Sequence, residues 1–154
     1  MDSPFGLDLK LETDRVSISE AGAAAALAAF WSMPIARYAQ PRSLEILGRS
    51  VQLVRLPRAH TIFRRGDMPS GLYYVLSGTV KLLAQAPAGK EKVIDIFGEG
   101  QLFGEIGLFM DGPYRSWAQT NGRCILLYVP RDRVIEAIGL DLGLAQHFLR
   151  EVSN

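Results

Sequence analysis

Cysteine is almost missing from this sequence, because Cys124 is the only one in 154 residues. One thiol cannot form a disulfide within the chain. It also supplies too few ligands for an iron–sulfur cluster held by cysteines. An internal disulfide and cluster-based oxygen sensing are therefore excluded, and the cytoplasm is the expected compartment. Cys124 itself is interpreted as a small buried hydrophobe.

Histidine is nearly as scarce. The two histidines, His60 and His147, lie far apart in the sequence and match no short metal-binding spacing. Metal-dependent oxygenases and isomerases of similar size need a cluster of histidines with a carboxylate. No nucleophile is paired with a base either. Catalysis is therefore not expected, and both histidines are interpreted as structural.

The sequence also lacks an excess of one charge and a long apolar run. Its 17 basic and 16 acidic residues leave a net charge of +1, so the chain alone is expected to bind DNA poorly. The apolar run at residues 21–31 is too short to cross a membrane and follows acidic residues rather than a basic leader. It predicts an alanine-rich helix that begins near Ser17 or Ser19 and ends before Pro34.

Turn signals are abundant from residue 51 onward. They separate short apolar runs at residues 73–76, 80–83, 93–97 and 125–129. This pattern predicts a mainly β fold with flanking helices, namely an antiparallel β-roll or jelly-roll over residues 51–129. Asn121-Gly122 is the strongest hairpin signal, because both residues tolerate the positive φ of a type I′ turn. That turn would place Arg115 on the strand before it.

Helical segments are predicted on both sides of the roll. Residues 1–16 are expected to be loose, and residues 17–50 to be helical, with one helix starting at Pro41. The helical period returns over residues 130–154, with Pro130 at a first helical position, an interruption at Gly139 and Asp141 as the next cap.

The last helix carries an apolar stripe. Its members are Leu142, Ala145, Leu149 and Val152, continued by Phe148. Such a stripe either docks on the roll or pairs with a second copy of the chain. Dimer contact is the favoured interpretation.

The most informative segment is residues 103–118, called the cassette below. It contains Gly104, Glu105, Ile106 and Gly107, followed by Arg115, Ser116 and Trp117. Glycine lets the backbone approach a ligand, the start of a short helix presents N–H groups to an anion, and an arginine adds a two-pronged clamp. A carboxylate can accept a hydrogen bond from a sugar hydroxyl. Together these groups predict a site for a cyclic ribose phosphate.

The cassette resembles the phosphate-binding cassette of cyclic nucleotide-binding domains, specifically those of the Crp/Fnr transcription regulators. Residues 63–67 and 72–82 are similar to the opening strands of that family, and the match spans residues 42–154. The resemblance implies cyclic AMP or cyclic GMP as ligand. It implies that Arg115 and the N–H groups around Ile106 hold the phosphate, that Glu105 holds the ribose hydroxyl, and that Ser116 donates to a phosphate oxygen. The purine would lie against residues 93–97.

The same resemblance implies that the last helix begins a dimerisation helix, so a homodimer is expected. Nothing in the sequence could serve as a recognition helix, and DNA contact is assigned to a helix-turn-helix domain absent from this chain. The chain is interpreted as the sensor half of a transcription regulator. The alternatives are a degenerate or differently liganded roll, a nucleotide sensor of a kinase or channel, and a cupin-like metal enzyme.

One residue of the cassette departs from the family pattern. Trp117 stands where a small residue generally follows the arginine and serine. Side chains two apart on a strand face the same way, so Trp117 is expected on the side of Arg115, where it would stack on the base or fill the cavity. Met110 and Tyr114 are interpreted as packing and loop residues.

Overall fold

The structure is a computed structural model that describes residues 20–153. Its helices are α1 (Glu20–Ser32), a 3₁₀ helix (Pro34–Arg37), α2 (Pro41–Ser50), α3 (Glu105–Phe109), α4 (Arg131–Leu140) and α5 (Leu142–Ser153). Its strands are β1 (Gln52–Leu56), β2 (Thr61–Phe63), β3 (Gly71–Ser77), β4 (Val80–Gln85), β5 (Glu91–Phe97), β6 (Leu102–Phe103), β7 (Trp117–Thr120) and β8 (Cys124–Pro130). The prediction of a loose segment at residues 1–16 and the caps at Ser17 and Ser19 lie outside the described residues.

The strands form two four-stranded antiparallel sheets. The first sheet has the order β1-β8-β3-β6, and the second has the order β2-β7-β4-β5. Side chains from both sheets form one core cluster between them. The predicted antiparallel β-roll with flanking helices is therefore confirmed.

The first sheet is buried on both faces. In β3, Tyr73 and Val75 point into the core between the sheets, whereas Leu72 and Tyr74 belong to a second core under the helices. Because side chains alternate along a strand, a strand covered on both sides must be apolar at every position. This requirement explains why β3 and β8 read as continuous apolar runs.

Asp141 connects the N-terminal and C-terminal helical segments. Its carboxylate accepts hydrogen bonds from the backbone N–H of Gln40 at 2.6 Å and of Leu144 at 3.1 Å. The bond to Leu144 caps α5, as the sequence predicts. Burial of Asp141 opposes its ionisation, but the hydrogen bonds from Gln40, Leu144, Ser43 and Gly143 together outweigh burial and lower the pKa of the carboxyl below its ordinary value.

Three local predictions are wrong. Asn121 has no positive φ, and the turn it shares with Gly122 joins β7 of the second sheet to β8 of the first, so no type I′ hairpin forms. Pro130 ends β8 and precedes α4 rather than lying inside it. Gly139 does not interrupt α4, which continues to Leu140. The start of α2 at Pro41 and the end of α1 before Pro34 are confirmed.

Helix α5 has one face on the domain and one face in solvent. Leu144 and Phe148 are buried, at 0% and 2% exposure, whereas Leu142 and Leu149 are 74% and 66% exposed. The residues of the predicted apolar stripe therefore lie on two faces of the helix. Phe148 is on the face that packs on the domain, and Leu142 and Leu149 are on the face exposed to solvent. The side chain of Val152 lies outside the described part.

Within residues 20–153, every helix is too short or too polar to cross a membrane.

Candidate functional site

The cassette begins with a left-handed residue. Gly104 has φ +86° and occupies the N-cap of α3, directly after β6. A residue with a Cβ is strained at this φ. The first N–H groups of a helix have no intrahelical partner, and Gly104 has no side chain to cap them. They are available to an acceptor outside the helix.

Gly107 serves a different purpose, because its backbone lies against two rings. A Cβ at this position would lie 2.6 Å from Cε1 of Tyr114 and 2.9 Å from Cγ of Pro69. The absence of a side chain therefore lets α3 pack directly on Tyr114. The two glycines of the cassette set the direction of α3 and its distance from the roll.

A cavity of about 260 Å³ opens beside α3 and is called the first cavity below. Six of the seven predicted site residues line it, namely Gly104, Glu105, Ile106, Gly107, Arg115 and Ser116. The remaining lining residues are Phe63, Leu82, Phe97, Phe103, Met110, Asp111, Gly112, Pro113 and Tyr114. The cavity thus combines apolar walls with a guanidinium, a carboxylate and a helix N-terminus, which is the character of a site for a polar ring compound.

Arg115 is an exposed residue at this cavity. The ion pairs among residues 20–153 are Arg49–Glu45 and Arg133–Glu136, so Arg115 forms none within this part of the chain. An ion pair between Arg115 and Glu105, the alternative expected in a roll that binds no ligand, is not observed. Its N–H donors are therefore not taken up by an acidic side chain in the described part of the chain.

Trp117 is the predicted site residue that does not line the first cavity. The expectation rested on Arg115 and Trp117 sharing a strand, but Arg115 and Ser116 lie in a bend and β7 begins at Trp117. In β7 the buried positions are Ala118 and Thr120, so Trp117 lies on the opposite face of the strand. The indole ring does not fill the cavity.

Tyr114 has a larger role than the sequence suggested. It is 9% exposed, stacks on Phe63 with 3.7 Å between ring centroids, and lines the first cavity. Backbone hydrogen bonds to Gly66 and Asp67 hold it in place. Burial raises the pKa of its hydroxyl, and the nearby Tyr128, Asp67 and Glu105 add to the shift. Met110, another residue interpreted as packing, also lines the cavity.

Glu105 is the first residue of α3 and lines two cavities. The second cavity has a volume of about 400 Å³. The two cavities share Leu82, Phe97, Glu105 and Ile106. The second cavity is further lined by Met33, Pro34, Ile35, Tyr74, Asp95, Gly100, Gln101, Leu102 and His147. Residues 93–97 were predicted to contact a purine. Asp95 and Phe97 line a cavity, whereas Val93, Ile94 and Ile96 line neither of the two.

The cassette helix contacts the C-terminal helix directly. Phe109 of α3 packs on Phe148 of α5, with 5.7 Å between ring centroids and 56° between ring planes. A displacement of α3 therefore changes a contact that α5 makes with the domain.

No group of three or more His, Cys, Asp or Glu side chains in the described range 20–153 is arranged to hold a metal ion.

Comparison with known sequences supports these observations. The sequence model of the cyclic nucleotide-binding domain family matches residues 53–140, which include the cassette. A CRP-like cAMP-activated global transcriptional regulator of Mycobacterium tuberculosis is 32% identical over 111 residues, covering 72% of this chain. Those residues are 50% of the regulator, so the chain spans about half the length of this relative.

Solved structures show the same fold. The sensor domain of the transcriptional regulator DNR from Pseudomonas aeruginosa superposes with a TM-score of 0.74 at 26% identity, covering 85% of this chain and 88% of that domain. The Catabolite Activator Protein of Thermus thermophilus superposes with a TM-score of 0.64 at 28% identity, covering 77% of this chain and 55% of that protein.

Proposed function

The chain belongs to the cyclic nucleotide-binding domain family, and on this premise we propose that it binds a cyclic nucleotide in the first cavity and regulates transcription as the sensor of a CRP-like protein. The observation that carries the proposal is the convergence of Arg115 and the N-terminus of α3 on one cavity, with Arg115 in no ion pair among the described residues.

The cyclic phosphate is assigned to the amides that follow Gly104 and to the guanidinium of Arg115. Amides and guanidinium together supply several donors to one anionic group, and a guanidinium binds two oxygens at once. Ser116 lines the same cavity and adds a hydroxyl donor. Glu105 faces the sugar, because a carboxylate repels phosphate but accepts hydrogen bonds from hydroxyl groups.

The regulatory output is assigned to α5. Phe109 and Phe148 connect the cassette helix to α5, so a ligand that holds α3 favours one position of α5 over others. The exposed Leu142 and Leu149 are seven residues apart, as in the seam of two paired helices. A homodimer formed through this face, with DNA bound by a separate domain, completes the proposal, and the cytoplasm is its compartment.

The test is a calorimetric titration of the chain with cyclic AMP and with cyclic GMP. At least one of them is expected to bind at micromolar or tighter affinity. Arg115→Lys keeps the charge but loses the two-pronged geometry, and we expect it to weaken binding by about ten- to a hundredfold.

Arg123→Lys is the matched control, because Arg123 is exposed and lines neither the first nor the second cavity. It should bind as the wild type does. Equal affinities for wild type and Arg115→Lys would remove the site assignment, and no binding of either nucleotide would favour the degenerate roll.

A further inference from the structure

We infer that the second cavity holds the base of the nucleotide and that Asp95 and Gln101 make it select guanine over adenine. The inference rests on the proposed function and names the ligand more narrowly, as cyclic GMP.

The two cavities adjoin each other. Leu82, Phe97, Glu105 and Ile106 line both of them. With the phosphate at Arg115 and the sugar at Glu105, the base attached to the sugar extends past this shared wall into the second cavity. Leu82 and Phe97 are apolar and lie against the flat face of a purine, which is how proteins bind the faces of bases.

Asp95 supplies a carboxylate to the second cavity. It is paired with Leu82 across β4 and β5, and it lines the second cavity but not the first. In this assignment it meets the edge with N1 and the C2 substituent, because a base whose sugar lies at Glu105 turns that edge away from the first cavity. One carboxylate oxygen accepts a hydrogen bond from the N–H of Ile96 at 2.8 Å. The other oxygen accepts none within residues 20–153 and is open to donors in the cavity.

Gln101 presents the opposite polarity to the same cavity. Its side-chain oxygen accepts the N–H of Gly98 at 2.7 Å. Because only the oxygen end of the amide can accept this bond, it distinguishes the oxygen from the NH₂ group. The NH₂ group is left as the end available to a ligand, so the cavity offers acceptors at Asp95 and a donor at Gln101.

Guanine matches this arrangement and adenine opposes it. Guanine presents two adjacent donors, N1–H and the 2-amino group, to a carboxylate and presents the acceptor O6 to an amide NH₂. Adenine presents the lone pair of N1 to the carboxylate and an amino group to the amide donor. One mismatched polar pair of this kind changes affinity by about five- to a hundredfold.

The test compares cyclic GMP, cyclic AMP and cyclic IMP by calorimetry on the 154-residue chain. We expect cyclic GMP to bind about tenfold or more tightly than cyclic AMP. Cyclic IMP keeps N1–H and O6 but lacks the 2-amino group, so its affinity should fall between the other two. Asp95→Ala should reduce the preference for cyclic GMP to about threefold or less without weakening cyclic AMP.

Glu91→Ala is the control, since Glu91 is an exposed acid on the same strand and lines neither cavity. It should keep the wild-type ratio. Gln101→Ala provides a second variant, expected to lower the ratio through loss of the contact with O6.

The outcomes separate this inference from the proposed function. Cyclic AMP binding as tightly as cyclic GMP, or a ratio unchanged in Asp95→Ala, would overturn the guanine assignment and leave the cyclic nucleotide site standing. Failure of the wild type to bind any of the three would overturn both.

Discussion

The two sheets of the roll differ in how much of each strand the fold buries. In β3 of the first sheet, five of seven residues are buried, whereas six of seven residues of β5 in the second sheet are exposed. The helices cover the outer face of the first sheet, and the second sheet packs against its inner face. β5 is the edge of the second sheet and pairs with β4. Exposed apolar residues such as Ile94 and Ile96 on this strand make no contribution to either core.

This difference assigns separate tasks to the two sheets. The first sheet supplies more buried apolar residues than the second, and their burial stabilises the domain. The second sheet contributes Leu82 and Phe97 to both cavities, and Asp95 to the second. Residues that contact a ligand must be accessible, so they cannot be chosen for core packing alone. Substitutions in the two sheets are therefore expected to affect different properties.

The largest effect is expected from truncating the centre of the first sheet. Leu126 in β8 is 0% exposed and belongs to the core between the sheets. Leu126→Ala removes buried methyl groups and leaves a cavity, so it should lower the free energy of unfolding by about 2–5 kcal/mol. Urea unfolding monitored by circular dichroism measures this change.

Ile96→Ala in β5 is the matched comparison. Ile96 is 54% exposed, and its truncation should change the unfolding free energy by about 0.5 kcal/mol or less. Losses of similar size at both positions would contradict the division of tasks between the sheets.

An intermediate effect is expected where the cassette rests on the roll. Gly107→Ala would bring a methyl group into the ring of Tyr114, which is itself stacked on Phe63. Displacing this packed ring should cost about 1–3 kcal/mol, more than the helix gains from alanine. Because Tyr114 lines the first cavity, nucleotide affinity should also fall, as measured by calorimetry beside thermal unfolding.

Gly139→Ala provides the control for Gly107→Ala. Gly139 lies in α4, and a Cβ there would meet nothing within 4 Å. It should stabilise the domain by about 0.5–1 kcal/mol and leave nucleotide binding unchanged. A destabilising Gly139→Ala, or a neutral Gly107→Ala, would show that close packing under α3 is not what requires glycine.

Much of this architecture could be predicted from local sequence. Continuous apolar runs between turn signals identified β3 and β8, and Pro41 and Asp141 identified helix starts, because these signals act over a few residues. The glycines and Arg115 of the cassette were found by their spacing. Their convergence on one cavity depends on tertiary structure that no local pattern contains.

The errors have physical causes. Asn121-Gly122 reads as a hairpin turn, but β7 and β8 find their partners in different sheets, which long-range pairing decides. The side of Trp117 was inferred from alternation along a strand that begins only after Arg115. Tyr114 was missed because its importance arises from the absence of a side chain at Gly107, seven residues earlier. Phe148 was placed on the outer stripe because helical spacing alone does not say which face docks.

The smallest effect concerns the helical layer over the first sheet and depends on pH. The pKa of Asp141 is lowered by hydrogen bonds from Gln40 and Leu144, against the opposing effect of burial. Because the pKa is lowered in the folded state, the ionised carboxylate stabilises the fold at pH values above 3.8, the ordinary pKa of the group. This stabilisation disappears as the pH falls below that value.

Asp141→Asn retains a capping side chain but no charge, so it should be less stable than wild type by about 1 kcal/mol near neutral pH. Urea unfolding at a series of pH values should show the two proteins converging below pH 3.8, with the variant's stability changing less steeply there. A gap that stays constant down to the lowest pH would mean that the charge of Asp141 does not hold α5 and the N-terminal segment together.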